Sequence, residues 1–370
     1  MSAKPFRALI LALTLGACAG SPDEPATSAA SPADVLLQTV LERDGGPGVM
    51  AAVMRDGELV WSGAAGYADL EARVPLTTDT RMRIGSVSKT FTAVLALRLA
   101  ERGALDLDGD IRTHVPELRA PERGAITPAL IAAHLSGIRQ YNFQNYLEAN
   151  NVMFLAAGPS EALSRYVGDP LLSQPGEAHH YTSLGFNILG VAEERATGAS
   201  YGELLAREIT GPLGLSNTMI DHPLEIIERR TRFYTRFPDG VVRNTIWRDS
   251  SDYYPSGGVL SSAEDLVRFA SAVFAGEYLN AASLQRLTTE QRNAAGEGVG
   301  YTFGWQVSRD AQGRLFYEHG GETNGAYATV RYYPEQRLAI SGIVNANWMG
   351  GRAYFFEAVR NELPALYLDR

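Results

Sequence analysis

The chain has 370 residues, of which 45% are apolar and 20% charged, and its formal net charge is −9. That length and mixture suit one large or two interleaved soluble domains, with ample chain for a core and a pocket. The acidic balance argues against nucleic-acid binding, which needs a basic footprint, and no zinc-type Cys/His spacing occurs.

Read from the start, Lys4 and Arg7 precede an apolar run from Ala8 to Ala17 that is too short to span a bilayer. This is the layout of a secretory signal, residues 1–17. Without Lys4 and Arg7 the net charge becomes −11. Leu15-Gly16-Ala17-Cys18 resembles the bacterial lipoprotein box, which implies export and a lipid on Cys18 that holds the chain to a membrane surface, facing the periplasm or the cell exterior. Cys18 is the only cysteine, so the folded domain has no disulfide and no thiol nucleophile. Residues 18–33, rich in Pro, Ser and Ala, read as a flexible tether.

The folded domain is expected over residues 34–366. Asp34 to Glu42 has the spacing of an amphipathic helix. Two strand-like runs follow, with the hairpin signal Asp56-Gly57 between them. Val87 to Glu101 is helical in period and Gly103 stops it. The stretch from about 85 to 230 alternates helical runs with Pro and Gly breaks. From about 231 to 366 strand character returns in "TFGWQVSRD", "GRLFYEHGG", "AYATVRYYP" and "RLAISGIVN", before a final helix from about Gly351 to Leu363. The expected fold is therefore α/β of the α+β kind. One antiparallel sheet is built from both chain ends (34–84 and 231–366) and flanked by helices, with a mainly helical part inserted.

Ser86 and Lys89 open the helix at positions i and i+3, so they share a face. A serine hydroxyl becomes a good nucleophile only when a base takes its proton. A lysine serves as that base when desolvation lowers its pKa. Taken alone, this spacing is common and fits a helix cap and a surface charge better than a nucleophile and its base. The context is more specific. Tyr181-Thr182-Ser183 stands just before another helical run, and His319-Gly320-Gly321 stands in a strand near the C-terminal end.

These three stretches, in this order, resemble the motifs of the serine β-lactamase-like and penicillin-binding superfamily, which holds class C β-lactamases, D-alanyl-D-alanine peptidases and related esterases. The flanks "AAHLSGIRQY", "GDPLLSQPGE" and "SGGVLSSAEDLVRF" are most similar to the branch of the mitochondrial serine β-lactamase-like protein and its bacterial relatives. The resemblance covers residues 35–365. It implies a serine hydrolase without metal or organic cofactor, acting on esters or amides of small molecules or peptides. Ser86 would be acylated, and Lys89 and Tyr181 would share the proton work, with Tyr181 a base only where Lys89 and a protonated His319 favour its phenolate. The amides of Ser86 and Glu322 would hold the oxyanion, and Gly320 and Gly321 would let substrate backbone approach the strand. Two alternatives stay open. One is a true β-lactamase or D-alanyl-D-alanine carboxypeptidase, and the other an inactive binding module of the same fold.

Two positions depart from the stricter pattern. Ser183 stands where the family has Asn; it has less reach toward a substrate amide but can still bond Lys89. His319 stands where a permanent lysine cation would suit a substrate carboxylate, so carboxylate recognition there should weaken. Other signals are read as structural. Asp106, Asp108, Asp110 and Glu117 mimic a calcium loop, but Ile111 occupies the place of the required glycine. His179 and His180 are adjacent and would point to opposite faces, and His134 reads as bonded to backbone. The aromatic stretch 139–154, with Trp247, Tyr253 and Tyr254, is a candidate pocket rim.

Overall fold

The structure is a computed structural model and describes residues 30–142, 158–246, 248–349 and 353–368. Cys18, the signal-like segment and most of the tether lie outside the described residues, as do Trp247, Gly351 and most of the stretch 139–154.

The first helix, α1, spans Pro32–Asp44. Ser31 and Asp34 form a reciprocal capping box at its start and Gly45, at φ 60°, ends it. Strands β1 (Gly48–Arg55) and β2 (Glu58–Asp69) follow. Asp56 and Gly57 both take positive φ, 52° and 83°, which gives the two-residue hairpin the sequence calls for. The short β3 (Val74–Pro75) completes this end of the sheet. The C-terminal end supplies β4 (Gln306–Arg309), β5 (Leu315–Thr323), β6 (Ala326–Tyr333) and β7 (Leu338–Val344). The order is β3-β2-β1-β7-β6-β5-β4 and every pairing is antiparallel. Chain start and chain end thus meet in the middle, where Ala51 faces Gly342.

Both faces of the sheet are covered. Along β1, Met50, Ala52 and Met54 enter one core, while Val49, Ala51 and Val53 enter the other. On the second face lie Leu37 and Val40 of α1 with Phe355, Val359 and Leu363 of the terminal helix. On the first face, α2 (Ser88–Glu101) and α4 (Ala263–Phe274) meet through Phe91 and Phe269, stacked at 3.9 Å. Burying each such ring contributes about 1.5–3 kcal/mol. Between them in sequence runs α3 (Ser183–Thr197), with shorter helical turns at Pro128–Ala132, Pro159–Ala162 and Tyr201–Leu205.

The final helix differs from its expected bounds. Helical residues run from 354 to 368, beyond Pro364. Proline lacks the N–H that would bond the carbonyl four residues back, that of Arg360. A widened turn at Ala358–Glu362 absorbs the proline, and Arg331 Nη1 donates to Arg360 O at 2.6 Å. The start of this helix is fixed from outside: Asp44, the last residue of α1, accepts the N–H groups of Tyr354 and Phe355, each at 2.8 Å. The acidic turn after α2 is structural. Asp106 accepts from Asp108 N, Asp108 pairs with Arg286, Asp110 accepts from the backbone and side chain of Arg112, and Glu117 pairs with Arg195. Among the described residues no group of His, Cys, Asp and Glu could hold a metal ion.

Candidate active site

Ser86 lies in a single helical turn, Gly85–Val87, that leads into α2. The turn is fixed on both sides. Ile84 N donates to Val259 O at 3.1 Å, and Val259 N donates to Ser88 Oγ at 3.2 Å. A short strand, Met82–Arg83, pairs there with Val259–Ser261. Ser88 is therefore a strut, and the serine that faces the cavity is Ser86.

Lys89 is completely buried. Its Nζ lies 3.0 Å from Ser86 Oγ and 2.8 Å from Ser256 O. Burial holds the amine well below its usual pKa, because a desolvated ammonium loses its hydration and no carboxylate among the described residues replaces it. A neutral amine can donate one N–H to Ser256 O and offer its lone pair to the Ser86 hydroxyl proton. Ser256 belongs to the turn Tyr254–Gly257. That turn is held by Thr92 Oγ1 on Pro255 O at 2.6 Å, and by α3, where a Cβ on Gly190 would lie 2.2 Å from the Pro255 ring.

Tyr181 stands two residues before α3, whose cap is Thr182: the Thr182 side chain accepts from Gly185 N at 2.9 Å. The Tyr181 hydroxyl is hydrogen-bonded to Ser86, and the Lys89 ammonium position lies 5.0 Å from its ring centre. Behind it, the His134 ring packs tilted at 4.3 Å and accepts the Thr182 N–H on Nδ1 at 3.1 Å, so this histidine has the expected backbone bond. Burial pushes the Tyr181 phenol well above its ordinary pKa.

His319 is 2% exposed, and its Nδ1 lies 2.7 Å from Gly320 O. That contact requires Nδ1 to carry the proton. Burial pushes the ring down to about 3, so it is neutral at pH 7. The expected phenolate field is therefore absent: His319 supplies no cation and Tyr181 holds its proton. His319 does not line the cavity.

The glycine pair serves packing more directly than substrate approach. A Cβ on Gly321 would lie 1.9 Å from Ile84 O and 3.1 Å from Ser86 N, and one on Gly320 would lie 2.3 Å from Arg360 Nη2. Gly85, at φ 50°, would place a Cβ 2.8 Å from Glu322 N. Only glycines let β5 close on the turn that bears Ser86. This closure sets the Ser86 and Glu322 amides on touching segments, as an oxyanion site requires.

Ser183 lines the cavity but does not bond Lys89. Its Oγ accepts from Gln140 Nε2 at 3.2 Å, and its N–H donates to Gln140 Oε1 at 2.9 Å. Gln140 also accepts from Tyr141 N. The Ser183 hydroxyl is engaged by a glutamine from another loop, not by Lys89.

The cavity over Ser86 measures about 710 Å³. Gln140, Tyr141, Tyr181, Ser183, Tyr253 and Glu322 contribute to its walls, with Arg248 and Ser256. Gln140, Tyr141 and Tyr253 were legible as rim candidates; Tyr254 is a core residue, 4% exposed. The Ser256 carbonyl has no sequence signature, and Arg248 shows no motif.

The chain has relatives among known proteins. It is 29% identical to the mitochondrial serine beta-lactamase-like protein of Homo sapiens, across 65% of this chain and 56% of that protein. It is 25% identical to Penicillin-binding protein 4* of Bacillus subtilis, across 82% and 69%. The chain spans 56–60% of the length of the mitochondrial relatives of human, mouse and cattle. Among solved structures, a D-stereospecific amidohydrolase from Streptomyces superposes with a TM-score of 0.73 at 26% identity, covering 89% of this chain and 98% of that one. The octameric penicillin-binding protein homologue from Pyrococcus abyssi shares the fold, with a TM-score of 0.78 at 22% identity over 91% and 77%. The sequence profile of the Beta-lactamase family matches residues 33–359, nearly all of the described chain, and the chain belongs to that family.

Proposed function

We propose that this chain is a serine hydrolase that cleaves amide or ester bonds through an acyl-enzyme on Ser86. The observation that carries the reading is the 3.0 Å contact between Ser86 Oγ and the fully buried Lys89 amine. Burial, with no carboxylate partner among the described residues, disfavours the ammonium form and so suits this lysine to act as a base. An inert scaffold has no need of that arrangement at the floor of a cavity.

The steps follow from the atoms present. Ser86 Oγ attacks the substrate carbonyl carbon while its proton passes to Lys89 Nζ. The carbonyl electrons move onto oxygen, facing the Ser86 and Glu322 amides. When the intermediate collapses, the bond to the leaving group breaks and that group takes the Tyr181 hydroxyl proton. The Lys89 ammonium returns a proton to Tyr181. Water then attacks the acyl carbon by the reverse route and frees Ser86. Relatives named D-aminopeptidase and D-stereospecific amidohydrolase support amides as the bond class. The neutral His319 disfavours substrates that need a fixed cation beside the leaving group.

Intact mass after incubation with a fluorophosphonate tests the reading. Wild type should gain one adduct and Ser86→Ala none; no adduct on folded wild type overturns it. The lipoprotein-like run ending at Cys18 further supports an exported, membrane-held enzyme. Membrane fractionation tests this, with Cys18→Ser expected to release the protein and a soluble wild type refuting it.

A further inference from the structure

His134 is fully buried and takes no proton in the proposed reaction. It follows the helical turn Pro128–Ala132 with a backbone φ of 60°. That left-handed region is unfavourable for a residue with a Cβ, and structures that enforce it commonly do so at functional sites.

With this backbone, His134 grips one segment at two points. Its carbonyl accepts the His180 N–H at 2.8 Å, and its Nδ1 accepts the Thr182 N–H at 3.1 Å. These are the residues on either side of Tyr181. Residues 178–182 belong to no helix or strand, so no ladder of their own directs the Tyr181 side chain. The two bonds to His134 take that place, and the His134 ring closes against the Tyr181 ring at 4.3 Å.

The His134 ring is held in turn. Phe186 of α3 lies 5.2 Å from it and Tyr301 lies 4.9 Å from it, centre to centre. A nitrogen that accepts an N–H carries no proton, so the neutral ring has its proton on Nε2. Burial holds His134 well below its ordinary pKa, which preserves the acceptor. The same loop adds two outer bonds: Thr182 Oγ1 donates to Arg139 O at 2.7 Å, and Ser183 N donates to Gln140 Oε1 at 2.9 Å. The bonds that flank Tyr181 itself are those of His134.

Resting on the hydrolase reading above, we propose that His134 is the positioning residue of Tyr181. Its two bonds hold the phenol on Ser86, the place from which the leaving group takes its proton. The hold acts through Tyr181, because the Ser86 turn, Lys89 and the Glu322 amide are fixed by other segments. A reacting group misplaced by about 1 Å costs on the order of a hundredfold in rate. Here that cost falls on leaving groups that need a proton.

Asn and Leu have the same branched shape, but only Asn puts an acceptor where Nδ1 stands, and Asn tolerates positive φ. The substrates are 4-nitrophenyl butyrate, whose leaving group needs no proton, and ethyl butyrate, whose leaving group does. The readout is the ratio of their kcat/KM values, which an unfolded fraction leaves unmoved because it lowers both alike. His134→Leu should raise this ratio by about ten- to a hundredfold, and His134→Asn should return most of the loss. In a Tyr181→Phe background, His134→Leu should move the ratio no further. An unmoved ratio in folded His134→Leu, a shift that persists without the Tyr181 hydroxyl, or an Asn variant no better than Leu overturns the proposal.

Two measurements need no turnover. Nitrogen-15 spectra of wild type should show His134 as the Nε2–H tautomer; the Nδ1–H tautomer overturns the proposal even where His134→Leu fails to fold. The 3-fluorotyrosine signal of residue 181, assigned with Tyr181→Phe, should shift in His134→Leu and return in His134→Asn. Protein that takes no fluorophosphonate yet shows this shift and return refutes the hydrolase reading and upholds the hold of His134 on Tyr181. Labelled protein in which folded His134→Leu changes neither ratio nor signal does the reverse.

Discussion

Lys89 Nζ bridges Ser86 Oγ and Ser256 O, at 3.0 and 2.8 Å, with its own side chain fully buried beneath the cavity that Ser86 lines. The bridge fixes both the direction of the lysine lone pair and its protonation state. A chain of groups that exchange one proton titrates as a set, so the rate should follow the coupled pair and not one residue. The acid limb of kcat/KM should therefore have its midpoint well below the ordinary lysine value of 10.5. Tyr181→Phe should change that profile and lower kcat/KM for amides by about 10²–10⁴. Activated esters, whose leaving groups need no proton, should lose less. Profiles that coincide for wild type and Tyr181→Phe would remove Tyr181 from the proton path.

His319 leads to a second pH prediction, of the opposite kind. Burial pushes its folded pKa down to about 3, below the ordinary imidazole value of 6.5. Between those two values the unfolded chain binds the proton and the folded chain does not. Stability therefore rises with pH across that window and is lost as pH falls through it. Nitrogen-15 spectra of labelled histidine should show His319 as the Nδ1–H tautomer, untitrated from pH 5 to 8. A titration midpoint near 6.5 would contradict the buried contact with Gly320 O.

The contrast between these residues shows how far the sequence could be read. Ser86, Lys89, Tyr181 and His319 were legible because they stand in the order of the three motifs of the family the chain resembles. Asp56-Gly57 was legible because positive φ at two successive residues is demanding. The engagement of Ser183 by Gln140 was not, since it depends on how the loop at 139–142 meets the start of α3. The neutral state of His319 was not, because burial is a property of the assembled sheet. The helix beyond Pro364 was missed because the rescuing group, Arg331, comes from another strand. Spacing reports what a segment wants locally; the site's electrostatics arise between segments.

Gly321 carries a packing prediction. A methyl group there would meet Ile84 O at 1.9 Å, and backbone cannot swing aside as a flexible side chain does. Gly321→Ala should cost about 1–3 kcal/mol or more, the range for overpacking a tight contact. It should also part β5 from the Ser86 turn. Fluorophosphonate labelling should then fall more steeply than stability, because the Glu322 amide moves with the strand. Labelling at the wild-type rate in a destabilised variant would show that the Glu322 amide takes no part.

Glu193 is a buried acid that the mechanism does not use. It lies inside α3 with no solvent exposure, and neither carboxylate oxygen has a hydrogen-bond partner among the described residues. Burial, with Glu194 beside it, pushes its pKa well above the usual carboxyl range. Above pH ~4.5 the unfolded chain releases this proton while the folded chain retains it. The unfolded state then binds fewer protons, so this residue makes stability fall as pH rises, up to its folded pKa. Glu193→Gln keeps the shape and cannot titrate. The difference in Tm, variant minus wild type, should grow from pH 4 to pH 8, and comparing the two proteins cancels the contributions of Glu194 and Asp265. A difference that stays flat over this range would mean that Glu193 ionises in the folded protein as freely as in the unfolded one, and that water reaches the middle of α3.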